Sequence, residues 1–540
     1  NNTGVGYQSS YYNTVGTANT AVGFGSLLNN TVSNNSAFGY KSLFTNTTGY
    51  NNTAVGYHTL TLNTVGYNNV ALGLQSLYSN ISGARNNAVG VNALHLNTIG
   101  SANNAFGYYA LRNNTTGALN SAFGHKSLQN NTIGTNNSAF GFYSLSANTT
   151  GVNNSAFGYQ ALLSNTTGQG NTALGNASLR NNTIGVYNTA IASGALYYNT
   201  TGNYNSAVGF YSLLLNTTGA YNSAFGMYAM RNNIGGVRNS AFGYGALLTN
   251  SVGTNNTAVG YLALYNNTTT NNSAFGYKAL FANTTGIHNT AVGHASLSAN
   301  TIGERNTAVG FESLKSNTTG SYNTAFGNQA LGVNTTGTNN TAVGYQSLVN
   351  NTIGGSNTSV GYGALAYNTI GSANSAFGLN ALSANSTGAN NSAFGVNSLV
   401  SNSTGKQNCA FGRNALYSNT VANNNNAFGY TALYSNTIGT NNCAFGYQSM
   451  YYNTTGGNNS AFGHGSLINN TTGSNNVAIG YGALTTNTIG NNNTIVGLNS
   501  LYYNTTGSSN TAVGRSALQS NTTGTSNNAF GYAALYSNTI

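Results

Sequence analysis

The segment "NNTAVGYHTLTLNTVGY", from Asn51 to Tyr67, is followed at once by "NNVALGLQSLYSNISGA", from Asn68 to Ala84. The two segments agree at their asparagines, at one alanine, at two glycines and at one leucine. They differ mainly in large or polar side chains, the tyrosines included. Recurrence at a short fixed period is typical of solenoid proteins.

The same pattern fills all 540 residues in 32 copies, with a step of 17 residues except for two steps of 16. Counted from its first constant asparagine, which is Asn52 above, the repeat reads N-[ST]-A-[VF]-G-Y-x-[AS]-L-x-x-N-T-[TIV]-G-x-x. These slots are called positions 1 to 17 below. The sequence therefore predicts one continuous repeat array over residues 1–540. Because Asn1 and Ile540 fall inside a repeat, we expect this array to be a window of a longer chain.

The composition is unusual for a globular protein. Charged residues make up 3% of the chain and proline and tryptophan are absent, whereas typical soluble domains carry about 25% charged residues. Aromatic residues at 11% argue against ordinary disorder. The net charge of +11 is spread thinly, without the basic patch that nucleic-acid binding requires. No apolar run is long enough for a membrane span, so neither nucleic acid nor a bilayer is an expected partner.

The repeat predicts an all-β fold, a parallel β-solenoid of about 32 coils. Seventeen residues are too few for two helices, and the recurring glycines would break them. In "TAVG" the residues alternate between two faces, as a strand requires. We expect Val or Phe at position 4 and Leu at position 9 to fill the core, represented by Val22, Phe38, Val55, Leu27, Leu43 and Leu60. The Ala–Gly face would then be outside, and 32 stacked strands would give a rod on the order of 150 Å long.

The constant asparagines predict internal ladders. Position 1 is Asn in every copy, beginning with Asn2, Asn19, Asn35, Asn52 and Asn69, and so is position 12, beginning with Asn13, Asn30, Asn46, Asn63 and Asn80. When coils stack in register, a buried carboxamide can donate to its equivalent in one neighbouring coil and accept from the other. Tyrosines on the outside have no equivalent partner to satisfy, which explains why they vary.

"NNTAVG", "NNSAFG" and "NNVAIG" resemble the "NSVAIG"-type motif of trimeric autotransporter adhesin heads, and similar repeats occur in viral and phage fibre proteins. The resemblance covers all the repeats but rests on about six residues in each. It implies a left-handed β-roll, packing of three chains into a homotrimeric rod, and a cell-surface or virion fibre that attaches to a host. The coils here are longer than is usual in that family.

The sequence offers little for catalysis or cofactor binding. Glu304 and Glu312 are the only acids, which leaves no pair of carboxylates and no Ser-His-Asp triad. The closest histidines, His288 and His294, occupy different positions of the repeat and do not suggest a metal site. We therefore expect no enzyme activity, no catalytic residue, no metal and no cofactor. Cys409 and Cys443 lie two coils apart, too far for an intrachain disulfide.

Position 6 is rich in tyrosine and predicts a surface-contact column containing Tyr40, Tyr57, Tyr108, Tyr159, Tyr244, Tyr261 and Tyr277. Such a column could stack on sugar rings, seal chain against chain, or be partly buried beside the stack. The expected function is a structural extracellular fibre, a self-associating shaft whose ligand would be a glycan or a host surface.

Two other functions stay open. A self-polymerising extracellular filament would join repeat stacks end to end, because open strand edges template further pairing. An ice-binding solenoid would present flat columns of threonine, but adjacent threonines in "NTT" point to opposite faces. A self-polymerising filament would differ from a fixed fibre in its length. An ice-binding solenoid would differ from it in causing thermal hysteresis.

Overall fold

The computed structural model describes residues 1–540 and consists of three-residue strands joined by turns, without any helix. The chain divides into two compact units, Asn1–Asn271 and Asn272–Ile540. Each unit contains sixteen strands, one from each coil of the repeat. Both units are built in the same way.

The strands occupy positions 2 to 4 of each coil. In the first unit, β1 to β16 are Thr3–Val5, Thr20–Val22, Ser36–Phe38, Thr53–Val55, Val70–Leu72, Asn87–Val89, Asn104–Phe106, Ser121–Phe123, Ser138–Phe140, Ser155–Phe157, Thr172–Leu174, Thr189–Ile191, Ser206–Val208, Ser223–Phe225, Ser240–Phe242 and Thr257–Val259. In the second unit, β17 to β32 are Ser273–Phe275, Thr290–Val292, Thr307–Val309, Thr324–Phe326, Thr341–Val343, Thr358–Val360, Ser375–Phe377, Ser392–Phe394, Cys409–Phe411, Asn426–Phe428, Cys443–Phe445, Ser460–Phe462, Val477–Ile479, Thr494–Val496, Thr511–Val513 and Asn528–Phe530.

Within each unit every strand pairs in parallel with the strand of the next coil, in register. Ala139 lies opposite Ala156, which lies opposite Ala173. The register holds across a 16-residue step, where Thr20 pairs with Ser36. Equal positions of successive coils are therefore superposed, which confirms the predicted parallel solenoid with a step of about 17 residues.

Hydrogen bonding between coils continues well beyond the strands. The Gly158 N–H donates to the Phe140 carbonyl of the preceding coil at 2.8 Å. The Leu162 N–H donates to the Ser178 carbonyl of the following coil at 3.0 Å, at the opposite side of the turn region. Buried backbone N–H and C=O groups need hydrogen-bond partners. In the turn segment those partners lie in the neighbouring coils.

Tight corners give the coil its shape. Positions 7, 9 and 17 lie in the left-handed region, as at Gln160 (φ 55°), Leu162 (φ 52°) and Asn153 (φ 59°). Asn adopts this conformation readily, but for Leu it costs about 1–2 kcal/mol. Full burial of a Leu side chain contributes about 1.5–3 kcal/mol. Burial of the position 9 side chain, which is complete at Leu162, therefore outweighs the strain of its backbone.

The core differs from the sequence-based prediction at position 4. Leu27, Leu43 and Leu60 are fully buried, as predicted, but Phe38 is 40% exposed and Val22 and Val55 are half-buried. The fully buried residues of the same strands are the alanines at position 3: Ala21, Ala37 and Ala54.

The assignment of Val22, Phe38 and Val55 to the core was wrong because alternation distinguishes two faces without saying which one points inward. The interior already holds a leucine or methionine and two asparagines in most coils, and alanine fills the space beside them in nearly every coil, although Ile495 is fully buried at the same position. The face that carries the alanines is consequently the inner face.

Position 5 requires glycine in this coil. Gly463 has φ +137°, and a Cβ there would lie 2.5 Å from the Gly480 carbonyl oxygen in the next coil. Gly465, two residues later, has φ +63°, and a Cβ there would meet no atom within 4 Å. The same coil thus contains a constrained glycine and an unconstrained one.

We expect Gly463→Asn to destabilise the second unit by about 2 kcal/mol, since a φ near +137° strains any residue with a side chain, and Ala192, the one non-glycine residue at position 5, has a smaller φ of 104°. Gly465→Asn should be neutral, because asparagine already occupies position 7 elsewhere, as at Asn414 (φ 58°). Thermal unfolding and amide hydrogen exchange of both variants would measure the difference. Equal losses in the two variants would contradict this account of the turn.

Candidate functional site

The repeated side chains form columns that run along each unit, and the two asparagine columns are interior. Asn19, Asn35, Asn46, Asn63 and Asn80 are at most 1% exposed. Asn30, Asn52 and Asn69 are likewise buried. Asn2 and Asn13 belong to the first coil, which has a neighbouring coil on one side, and are exposed and half-buried respectively.

Position 12 forms an amide ladder that is unbroken from Asn30 to Asn250. The Asn165 Nδ2 donates to the Asn148 Oδ1 at 2.9 Å, and the Asn182 Nδ2 donates to the Asn165 Oδ1 at 2.8 Å. The second Nδ2 hydrogen of Asn165 is donated to the Gly168 carbonyl of its own coil at 3.0 Å. Every polar group of this side chain therefore has a partner, and two of the three partners lie in neighbouring coils.

Position 1 forms a second ladder with a different acceptor pattern. The Asn120 Oδ1 accepts from the backbone N–H of Asn137 at 3.0 Å and from its Nδ2 at 3.2 Å. The Asn137 Nδ2 also donates to the Gly151 carbonyl at 2.8 Å, and the same carbonyl accepts from Asn148 at 3.0 Å. The two ladders are thus joined in each coil at the carbonyl of position 15.

The 16-residue coils show that the position 12 ladder depends on coil length, whereas the position 1 ladder does not. In the coil that begins at Asn19, the missing residue makes the Val32 carbonyl the shared acceptor, at 2.8 Å from Asn19 and 2.7 Å from Asn30. The position 1 ladder continues there, since the Asn35 N–H donates to the Asn19 Oδ1 at 2.9 Å. Before the second short coil, the Asn250 Oδ1 is buried without a partner, so the position 12 ladder is interrupted.

A third ladder, of hydroxyl groups, was missed by the sequence analysis. The Thr115 Oγ1 donates to the Thr132 carbonyl of the next coil at 3.1 Å, and the Thr132 Oγ1 donates to the Thr149 carbonyl at 3.0 Å. Position 13 is Thr or Ser in every coil except at Ile81 and Ile234. That near-constancy, comparable to the asparagines, was the signal that could have revealed it.

The position 6 residues form an exposed aromatic column. The predicted tyrosines are all exposed, from 37% at Tyr40 to 51% at Tyr57, and these two rings stack at 5.2 Å. Tyr108 and Tyr159 stand at the ends of a four-ring stack that includes His125 and Phe142. Neighbouring rings cover each other's faces, so most of these tyrosines present their edges to the outside.

The remaining tyrosines of the predicted column fit the same pattern. Tyr244 and Tyr261 stack at 5.3 Å, and Tyr277 stacks on His294 at 4.9 Å. A sugar ring would need a free aromatic face, which is available only where the column is interrupted by a non-aromatic residue. This geometry favours contact along ring edges.

The acids, histidines and cysteines do not form a cluster. No group of three or more His, Cys, Asp or Glu residues is arranged to hold a metal ion. Glu312 pairs with Lys315 at 2.6 Å, and the hydrogen bond from Lys315 lowers the pKa of that carboxyl. Cys409 and Cys443 are free thiols, and burial raises the pKa of Cys443. The structure contains no helix with the length and apolar character needed to cross a bilayer.

Shallow depressions follow the surface between positions 11 and 13. One of about 350 Å³ is lined by Asn181, Tyr198, Thr200, Leu215, Thr217 and Ile234. Another, of about 570 Å³, is lined mainly by serine and threonine near Tyr452. Neither is lined by an acid, a histidine or a cysteine, so neither offers a general base or a metal ligand.

Comparison with protein-family models and with curated proteins found no match. The functional assignment therefore depends on the geometry of the columns.

We expect Asn165→Leu to destabilise the first unit by about 3 kcal/mol or more, because it leaves the Asn148 Oδ1, the Asn182 Nδ2 and one bond of the Gly168 carbonyl without their partner. Ser164→Ala, at the adjacent half-buried position, should change stability by less than about 0.5 kcal/mol. Denaturant unfolding and hydrogen exchange would compare the two. A loss as small as that of the control would show that the ladder contributes little.

We expect stability to depend only weakly on acid. Glu312, with a lowered pKa, stabilises the folded state above its unfolded pKa, and this contribution is lost as pH falls. Burial lowers the pKa of His58 and His95, so their protonation also disfavours folding below about pH 6.5. These are a few surface or half-buried groups among 540 residues. The melting temperature should therefore fall by no more than a few degrees between pH 7.5 and pH 3, and cooperative acid unfolding in that range would refute this.

Proposed function

We propose that this chain is a structural protein, a β-solenoid shaft in an extracellular fibre that holds a surface or an adhesive tip at a distance. The observation that carries the proposal is the repetition of the same two asparagine ladders in coil after coil of each unit. A side-chain scaffold that recurs at nearly every level suits a spacer. A catalytic or ligand-binding site would require one level to differ from the rest.

The chemistry of the surface agrees with a structural role. The two glutamates face no partner acid, and the single ion pair joins Glu312 to Lys315 on the surface. General acid–base catalysis needs two titratable groups of matched pKa near one substrate. The proposal therefore assigns the chain no catalytic residue, no metal and no cofactor.

Extracellular placement is supported by the resemblance of "NNTAVG" and "NNSAFG" to adhesin head repeats. The same resemblance supports a homo-oligomer, with three chains as the first arrangement to test. If the fibre binds a glycan or another host ligand, the edges of the position 6 column are its most extensive aromatic surface.

The two alternative functions receive different support. A self-polymerising filament uses the same scaffold and differs only in growing by end-to-end addition. Ice binding is less well supported, because the regular hydroxyl column at position 13 already donates its hydrogens to backbone carbonyls. A second regular threonine column is absent beside it, since position 11 varies among residues such as Tyr452, Asn469 and Thr486.

Electron microscopy and fibre diffraction of the purified chain would test the proposal. We expect straight, unbranched particles of uniform length with an axial repeat of about 4.7–4.9 Å. Particles that grow far beyond one chain would favour the self-polymerising filament, and thermal hysteresis at micromolar protein would favour ice binding. Compact globular particles would refute the shaft.

A further inference from the structure

Three consecutive coils of the first unit, residues 188–238, depart from the repeat at positions that are otherwise nearly constant. Ala192 is the only residue other than glycine at position 5, and Gly235 is the only glycine at position 14. Met230 replaces the leucine of position 9, and Ile234 replaces the threonine or serine of position 13. These coils are therefore a place where successive levels of the scaffold differ.

Ile234 and Gly235 are not explained by the stability of the coil. The Thr217 Oγ1 donates to the Ile234 carbonyl at 3.3 Å, but Ile234 has no hydroxyl with which to continue this ladder. Its side chain is 46% exposed, so burial offsets little of that loss. Gly235 does not have a positive φ, and a Cβ there would meet only the Thr218 Oγ1, at 3.4 Å. Both replacements thus change the surface without stabilising the interior.

The surface of these coils contains two adjoining depressions that share the ring of Tyr198. The depression of about 350 Å³ described above has Leu215 and Ile234 in its wall. The second, of about 320 Å³, is lined by Tyr197, Tyr198, Tyr211, Leu214 and Arg231. The two depressions together are here called the Tyr198 cleft. The cleft combines apolar and aromatic surface with one cation.

A gap in the position 10 column shapes the second depression. Arg180 lies over one face of the Tyr197 ring, 5.5 Å from its centre. The other face is directed toward the following coil, where position 10 is the shorter, buried Leu214. Where position 10 is tyrosine in successive coils, as at Tyr417 and Tyr434, the rings stack at 4.9 Å. Leu214 therefore leaves the place of one ring open, between Tyr197 and the guanidinium two coils further on.

Arg231 is the cation of the Tyr198 cleft, and it lacks an anionic partner. The equivalent Arg180 donates to the Asn181 Oδ1 of its own coil at 3.1 Å. Arg231 makes no such bond to the asparagine beside it; it lies over the Tyr228 ring at 5.7 Å, and its Nε is buried without a partner. The first unit contains no Asp or Glu. No side chain of this unit can therefore neutralise Arg231.

We propose that the Tyr198 cleft binds a glycan that carries a carboxylate, such as a sialic or uronic acid residue. A guanidinium can donate two parallel hydrogen bonds to a carboxylate, which makes Arg231 its recognition element. The open place beside Tyr197 accepts the apolar face of a sugar ring. The inference deepens the shaft proposal and rests on it, since it gives the fibre a ligand class and a binding site.

The length of the cleft suits an oligosaccharide. From Asn181 to Arg231 it spans three coil steps, about 14 Å, which is more than one sugar ring. A second ring would lie beyond Tyr198, against Leu215 and Ile234. Mainly apolar walls with a few polar groups that fix orientation are typical of small-molecule sites.

Binding of defined sugars to the whole chain provides the first test. The probes are sialyllactose, a hyaluronan tetrasaccharide and, as the neutral match of the first, lactose. We expect at least one acidic probe to bind with a Kd of about 1 mM or tighter, and lactose to bind at least tenfold more weakly. The acidic probe that binds identifies the acid. Calorimetry and saturation-transfer NMR would measure this, and failure of both acidic probes, or lactose binding as tight as sialyllactose binding, would overturn the proposal.

A matched pair of arginine variants tests the recognition element. Arg231→Gln removes the charge from the cleft, and Arg112→Gln removes the same charge from position 10 of another coil, where Arg112 donates to the Asn113 Oδ1 at 3.1 Å. We expect the first variant to weaken binding of the acidic probe at least tenfold and the second to leave it unchanged. Equal weakening would show a general effect of charge and overturn the site.

Two further variants restore the repeat. Leu214→Tyr fills the gap with the residue that stacks at position 10 elsewhere, and Ile234→Thr returns the hydroxyl of position 13. We expect both to weaken binding, Leu214→Tyr at least tenfold, with no fall in melting temperature. A structural role for Ile234 would instead lower the melting temperature of its variant. Undiminished binding in both variants would overturn the site.

The outcomes separate this inference from the shaft proposal. Straight particles without binding of an acidic sugar overturn the inference and leave the shaft in place. Globular particles refute the shaft, whether or not a sugar binds.

Discussion

In each full-length coil two asparagine side chains donate to one backbone carbonyl, at position 15, and in most coils both amides are also bonded to adjacent coils. Gly151 shows the arrangement, with Asn137 and Asn148 both donating to its oxygen. A buried amide without partners costs about 1–3 kcal/mol for each unmade bond. A single coil could not satisfy these groups alone. Stacking is therefore a condition of burying them, and neighbouring coils must be alike.

This constraint explains the distribution of side-chain size. With two amides and a leucine inside, the coil is filled on the strand face by alanine in nearly every case, with Ile495 buried at the same position in one coil, and position 8 holds small residues such as Ser178 or Ala161. Large apolar side chains are consequently placed outside, at positions 4 and 6, where they stack on one another along the unit. The inside combines hydrogen-bonded asparagines with buried leucine and alanine, and part of the outside is apolar and uncovered. Buried polar side chains at every level beside large apolar ones outside are unusual for a globular protein.

The sequence predicted the repeat, the parallel stacking and the asparagine ladders because each depends only on which residue types recur and at what interval. Leu27, Leu43 and Leu60 were placed correctly for the same reason. Phe38 was misplaced, since its size suggested a core residue while the decisive quantity was the space left by Asn35 and Asn46. The hydroxyl ladder through Thr115 and Thr132 was overlooked because threonine is common on surfaces and its carbonyl partner is invisible in a sequence.

By itself, then, the sequence determined that equal residues would be superposed, because a constant step with constant asparagines can satisfy buried amides in no other way. Only the tertiary structure decided which face of each three-residue strand is the inside. Alternation gives both faces the same periodicity, and the choice depends on the volume enclosed by corners at Gln160, Leu162 and Asn153. That volume is a property of the closed coil, and it places alanine inside the coil and phenylalanine on its surface.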